Sequence, residues 1–83
     1  MKYSNSVIFD IFDKYDKKLS NDATDDTSEI TLDLEIELRK KLDIGYQEVK
    51  NIILNLYAKH RYKKLCYAYM VNHQCSEFDH IIE

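Results

Sequence analysis

Basic side chains concentrate in residues 38–64, where they could bind phosphate groups. The 83-residue chain has a formal net charge of −3, but this segment carries eight basic residues against two acids, a net of +6. Residues 1–37 have a net charge of −6 and residues 65–83 a net charge of −3. Clustered lysines and arginines attract polyanions. The segment therefore favours an anionic partner, although most nucleic-acid-binding domains are basic overall.

Four potential zinc ligands occur near the C-terminus, but their spacing does not favour a metal site. Cys66, His73, Cys75 and His80 do not form the two closely spaced ligand pairs that are typical of zinc sites. The acidic run at residues 22–26 lacks the central glycine of a calcium loop. We therefore predict no bound metal and no cofactor.

Residue patterns typical of catalysis are missing from the sequence. No serine or cysteine stands in a recognisable nucleophile motif, and a chain with a single glycine has no glycine-rich phosphate loop. The sequence therefore predicts a binding protein rather than an enzyme.

Length and composition predict one soluble domain over residues 1–83. A chain of this length has room for one hydrophobic core, and 45% of its residues are hydrophobic. The longest apolar runs, residues 7–9 and 52–54, are too short to cross a membrane, and no export signal is recognisable. The expected compartment is the cytoplasm, where Cys66 and Cys75 would be free thiols.

The N-terminal half is expected to contain two helices. Apolar residues at helical spacing predict a helix at about residues 6–20, and the small polar and acidic residues at 20–29 predict a loop. Residues 30–38 alternate apolar and polar side chains as a strand does, but they also contain a helical apolar stripe. The good helix formers that follow favour a short strand at 30–32 and a helix at about 33–42, capped by Asp33.

The C-terminal half is expected to contain another helix and a hairpin. Gly45 interrupts the helical pattern, and a helix from Tyr46 to about His60 follows. Residues 65–71 are rich in aromatic and β-prone residues, 72–73 suit a tight turn, and 74–78 suit a return strand. The predicted fold class is therefore mainly α with a small β-hairpin at residues 65–78 (α+β).

Residues 37–56 resemble the helix-turn-helix units of winged-helix proteins. That pattern has two apolar residues in the first helix, one aliphatic residue in the turn and three apolar residues in the second helix. These positions are matched here by Leu38, Leu42, Ile44, Val49, Ile53 and Leu56. The resemblance implies a winged helix-turn-helix fold of three helices and a C-terminal wing hairpin, with the helix-turn-helix at residues 33–60.

Two features depart from the family pattern. Asp43 stands where the family usually has glycine, but aspartate tolerates a left-handed backbone better than most residues do. Glu77 and Asp79 make the expected wing acidic, which argues against contacts between the wing and phosphate groups.

The resemblance implies double-stranded DNA as the partner, with the second helix in the major groove. Gln47 and Asn51 are the candidates for base contacts, and the basic residues would neutralise phosphates. The predicted DNA-binding residues are Arg39, Tyr46, Gln47, Lys50, Asn51, Asn55, Lys59, Arg61, Lys63 and Lys64. The implied function is that of a small transcriptional regulator working as a homodimer.

Alternative interpretations remain open. Residues 34–59 could be an ordinary helical hairpin whose leucines fill a core. The chain could instead be a protein-interaction module or an inhibitor that presents its acidic N-terminal face to a partner. Tyr67 and Tyr69, expected on one strand face, would form a hydrophobic wall or a dimer contact more readily than a base-stacking surface.

Overall fold

The structure is a computed structural model that describes residues 4–21, 27–73 and 78. These residues contain four helices, α1 (Asn5–Asn21), α2 (Ser28–Leu42), α3 (Tyr46–Ala58) and α4 (Lys63–Asn72), and no strand. Within the described ranges the fold is thus all-α. No helix there is long and apolar enough to span a membrane.

The predicted N-terminal helix is confirmed, whereas the loop after it is shorter than expected. The face of α1 that carries Ile8, Ile11, Phe12 and Tyr15 is buried, as their spacing of three and four residues predicts. Both ends of the expected loop at 20–29 are helical, and residues 22–26 lie outside the described residues.

The predicted strand at residues 30–32 is wrong, because α2 already begins at Ser28. Thr31, Leu34, Leu38 and Leu42 are buried on one helical face, so the helical stripe prevails over the alternating pattern. The Thr31 hydroxyl donates to the carbonyl oxygens of Thr27 and Ser28, both at 3.1 Å. These bonds satisfy a buried hydroxyl inside the helix, and Asp33 lies within α2 rather than at its cap.

The turn between α2 and α3 spans residues 43–45 and has a left-handed residue at its start. Asp43 has φ 52° and ψ 54° and donates its backbone N–H to the Arg39 carbonyl oxygen. The expectation that aspartate adopts this conformation is confirmed. Gly45 has φ −92° and ψ 179°, an extended backbone that does not require glycine.

The six apolar residues that carry the helix-turn-helix resemblance are all buried in the core: Leu38, Leu42, Ile44, Val49, Ile53 and Leu56. α3 ends at Ala58, two residues earlier than predicted, because the chain reverses through a left-handed residue, His60, with φ 60°. The Arg61 N–H then bonds the Leu56 carbonyl oxygen at 2.9 Å.

The predicted wing hairpin at residues 65–78 is wrong, because residues 63–72 form α4. Leu65, Cys66, Tyr69 and Met70 are fully buried, and their spacing defines a helical stripe that the β-prone composition concealed. Residues 74–77, the expected return strand, lie outside the described residues. The winged-helix topology is therefore replaced by four helices.

Tyr67 and Tyr69 do not share a face in this helix. Tyr69 is fully buried and Tyr67 is 42% exposed, so the predicted tyrosine wall does not form. Cys66 is a buried free thiol, and burial raises its pKa to about 12. Cys75 lies outside the described residues.

A buried polar cluster joins α2 to α4. The Tyr69 hydroxyl donates to Glu35 Oε1 at 2.7 Å, and His73 Nε2 lies 3.6 Å from the same oxygen. Asn72 Nδ2 donates to Thr31 Oγ1 at 3.2 Å. Buried polar groups are tolerated when they are hydrogen-bonded, and these bonds fix the register between α2 and α4.

Candidate nucleic-acid interface

The outward face of α3 carries the two amide side chains that were predicted to contact bases. Val49, Ile53 and Leu56 turn toward the core, which leaves Gln47 and Asn51 exposed one helical turn apart. Gln47 Nε2 donates to Asn51 Oδ1 at 3.4 Å. The two amides therefore form one polar surface with donors and acceptors on α3.

Two of the basic residues that were predicted to bind DNA lie beside the same aromatic ring at the start of α3. The Arg39 guanidinium lies 5.7 Å and the Lys50 ammonium 5.1 Å from the ring centroid of Tyr46. Arg39 belongs to the last turn of α2, and the left-handed Asp43 brings that turn beside the first turn of α3. We call Arg39, Tyr46 and Lys50 the Tyr46 cluster; its ring is 43% exposed, and cation–π attraction holds both charges beside it.

Two more of the basic residues that were predicted to bind DNA lie at the opposite end of α3, in the loop of residues 59–62. Lys59 and Arg61 line one groove together with Asn55. The Arg61 guanidinium lies 5.3 Å from the ring centroid of Phe9 in α1. The structure thus brings Asn55, Lys59 and Arg61 together at one groove.

The loop of residues 59–62 is anchored to α1 through Tyr62. The Tyr62 hydroxyl donates to Asp13 Oδ1 at 2.5 Å, and its ring centroid lies 5.5 Å from that of Phe12. Burial, reinforced by the bond to Asp13, raises the pKa of Tyr62 to about 12. Tyr62 has φ 51°, a left-handed conformation that is uncommon for a bulky residue.

The last two basic residues that were predicted to bind DNA lie on α4, and their surroundings differ. Lys63 Nζ lies 5.8 Å from the ring centroid of Tyr57 on α3. Lys64 is exposed. The structure therefore places Lys63 beside α3 and Lys64 on the exposed surface of α4.

Sequence reasoning missed the aromatic supports of this surface. Phe9, Tyr57 and Tyr62 hold cationic or loop residues in place, but their side chains carried no signal other than apolar spacing. Lys14 on α1 pairs with Glu37 on α2 at 2.6 Å.

No metal centre accompanies these residues in the described ranges. They contain no group of three or more His, Cys, Asp or Glu side chains placed to hold an ion. Cys75 and His80, two of the four potential zinc ligands, lie outside those ranges.

Comparison of the chain with protein-family models, with curated proteins and with solved structures finds no significant match.

Proposed function

We propose that the chain binds double-stranded DNA, with α3 as the helix that enters the major groove. The observation that carries this proposal is the arrangement on α3 of two exposed amides between cationic groups at its two ends. The Tyr46 cluster lies at the N-terminal end of α3, and Lys59 and Arg61 lie at the C-terminal end.

The dimensions of α3 suit this role. Its 13 residues extend about 20 Å at 1.5 Å per residue. The major groove is about 12 Å wide and admits one helix. Cations at the two ends of such a helix can reach the phosphates of the two strands while its middle faces the bases.

Gln47 and Asn51 supply the chemistry for reading bases. Side-chain amides of glutamine and asparagine pair with the N6 and N7 edge of adenine through one donor and one acceptor. The 3.4 Å bond between Gln47 and Asn51 joins two exposed side chains and leaves each amide a donor and an acceptor for a base edge.

The biological role that we propose is that of a small transcriptional regulator acting as a homodimer. Dimeric helix-turn-helix proteins read two half-sites about 34 Å apart. This role requires two copies of the chain to associate. Sedimentation velocity of the chain with and without DNA measures that association directly.

The proposal is tested by fluorescence anisotropy with a labelled mixed-sequence duplex. Five cations, Arg39, Lys50, Lys59, Arg61 and Lys63, predict a slope of log affinity against log salt of about −4.5. Raising salt from 50 to 200 mM should therefore weaken binding about 500-fold. Lack of binding at micromolar protein in low salt would refute the proposal.

A matched pair of variants separates α3 from general charge effects. Lys50→Gln should weaken binding and make the slope shallower by about 0.9, because one phosphate contact is lost. Lys17→Gln removes the same charge from an exposed position on α1 and should leave the slope unchanged. Equal effects of the two variants would contradict a binding face on α3.

Base reading requires a separate experiment. Selection from a random duplex library should enrich a motif with the wild-type chain and fail to do so when Gln47→Ala and Asn51→Ala are combined. Enrichment of the same motif by the double variant would show that these amides do not read bases.

A second candidate function, a protein-interaction module, is favoured by one observation on α2. Leu32 and Ile36 lie one turn apart and are 48% and 43% exposed, beside the exposed acids Glu29 and Asp33. An apolar pair with an acidic rim suits a partner with a basic rim. Leu32→Ala combined with Ile36→Ala would abolish such binding and leave DNA affinity unchanged.

A further inference from the structure

A groove runs between the first half of α1 and the last half of α3, and we call it the α1–α3 groove. It has a volume of about 190 Å³, and its floor is formed by Ile8, Phe9, Ile52 and Leu56. Phe9 and Ile52 are only half-buried. The groove therefore offers hydrocarbon surface that water covers when no ligand is bound.

The rim of the groove is cationic and polar. Lys59 and Arg61 supply two positive charges, and Asn5 and Asn55 supply amide groups. Among the residues that the structure describes, no carboxylate lines the groove. The site thus combines an apolar floor with a rim that carries two positive charges.

The Arg61 side chain lies over Phe9, with its guanidinium 5.3 Å from the ring centroid, and two contacts hold the Arg61 backbone. The Arg61 N–H donates to the Leu56 carbonyl oxygen, and the Cys66 thiol contacts the Arg61 carbonyl oxygen at 3.8 Å. The Tyr62 hydroxyl donates to Asp13 Oδ1 and so anchors this loop to α1. The rim is consequently formed before a ligand arrives, which favours binding.

We propose that the α1–α3 groove binds a small amphipathic carboxylate, a short fatty acid or an aromatic acid. The carboxylate pairs with Lys59 and Arg61, and the hydrocarbon part covers the floor. An inorganic anion would leave the floor exposed to water, and a neutral apolar molecule would desolvate the cations without compensation. Only a ligand with both parts uses both features of the groove.

Ligand and DNA would compete for the same side chains. Asn55, Lys59 and Arg61 also belong to the DNA-binding surface under the proposed function, on which this consequence rests. A carboxylate in the groove would occupy the cations at the C-terminal end of α3 and release the DNA.

The direct test is a titration of the isotope-labelled full chain with hexanoate, followed by amide chemical shifts. We expect saturable shifts at Asn5, Asn55, Lys59 and Arg61. Hexanol and inorganic phosphate should each bind at least about 5-fold more weakly, as loss of one favourable contribution of about 1 kcal/mol implies. Equal binding of hexanol or of phosphate, or shifts spread over all four helices, would overturn the proposal.

Two variants test whether the cationic rim is responsible for hexanoate binding. Arg61→Gln should weaken hexanoate binding about 5-fold, whereas Lys17→Gln, outside the groove, should not change it. Circular dichroism of both variants checks that they are folded. Equal affinities of the two variants for hexanoate would overturn the assignment of Arg61.

The competition is tested separately with the labelled duplex. Hexanoate should raise the apparent Kd for DNA, and chloride at equal ionic strength should raise it less. If the chain fails to bind DNA, the proposed function is refuted while the hexanoate titration still decides the groove. If hexanoate binds without displacing DNA, the competition is refuted and the site stands.

Discussion

Tyr69→Phe removes one hydroxyl from the interface between α2 and α4. That hydroxyl donates to Glu35 Oε1 at 2.7 Å, and Glu35 is only 5% exposed. A hydrogen bond to a charged group contributes about 1.5–3 kcal/mol to stability. We therefore expect Tyr69→Phe to cost about 2 kcal/mol, within this range.

Urea unfolding followed by far-ultraviolet circular dichroism measures this loss. The midpoint should fall while the dependence on urea stays constant, since the folded surface does not change. In a chain of this size, a loss of about 2 kcal/mol corresponds to a melting temperature lower by about 8–16 °C. Tyr67→Phe is the matched control, because Tyr67 is 42% exposed and its substitution should change stability by less than about 0.5 kcal/mol.

Unchanged stability of Tyr69→Phe would refute the packing of α4 against α2 described above. A double-mutant cycle adds specificity: in a Glu35→Gln background, Tyr69→Phe should cost less, because the charged acceptor is already gone. Equal costs in both backgrounds would show that Tyr69 stabilises the fold without Glu35.

Three further predictions concern other parts of the fold. Asp43→Gly should stabilise the chain by about 0.5 kcal/mol in thermal unfolding, because glycine relieves the left-handed strain at some entropic cost; a lower melting temperature would contradict this. The hydrogen bond from Lys14, opposed by burial, lowers the pKa of Glu37. The stability that ionised Glu37 gives the fold is therefore complete above its unfolded-state pKa and is lost as pH falls through its folded-state pKa. Lys14→Gln should therefore lower the urea midpoint at neutral pH and leave it unchanged in strong acid, and a pH-independent effect would argue against the pair. In a Cys75→Ser variant, Cys66 should react with a thiol reagent no faster than the chain unfolds, because burial raises its pKa to about 12; fast reaction in native buffer would show that Cys66 is accessible.

Where the local pattern was unambiguous, the sequence alone predicted the structure. The N-terminal helix follows from apolar residues three and four apart, and the burial of Leu38, Leu42 and Val49 follows from the helix-turn-helix pattern. Asp43 was expected in a left-handed turn because its short polar side chain tolerates that backbone, and it has φ 52°.

The sequence predicted which residues belong to the candidate site but not how they are arranged in space. Gln47 and Asn51 are neighbours by helical geometry alone. The meeting of Arg39 with Lys50 over Tyr46, and of Arg61 with Phe9, depends on how separate helices pack. Sequence separation carries no information about such contacts, so the supporting aromatic residues could not be identified beforehand.

Residues 30–32 and 65–72 show what only the tertiary structure decided. Both segments contain a strand pattern and a helical stripe, and local propensity does not separate the two. The helical stripes prevail because each buries its apolar residues against the other helices and because Thr31 and Tyr69 find hydrogen-bond partners there. The sequence by itself determined which residues are apolar and which are charged, whereas long-range burial determined that the chain is helical where a wing was expected.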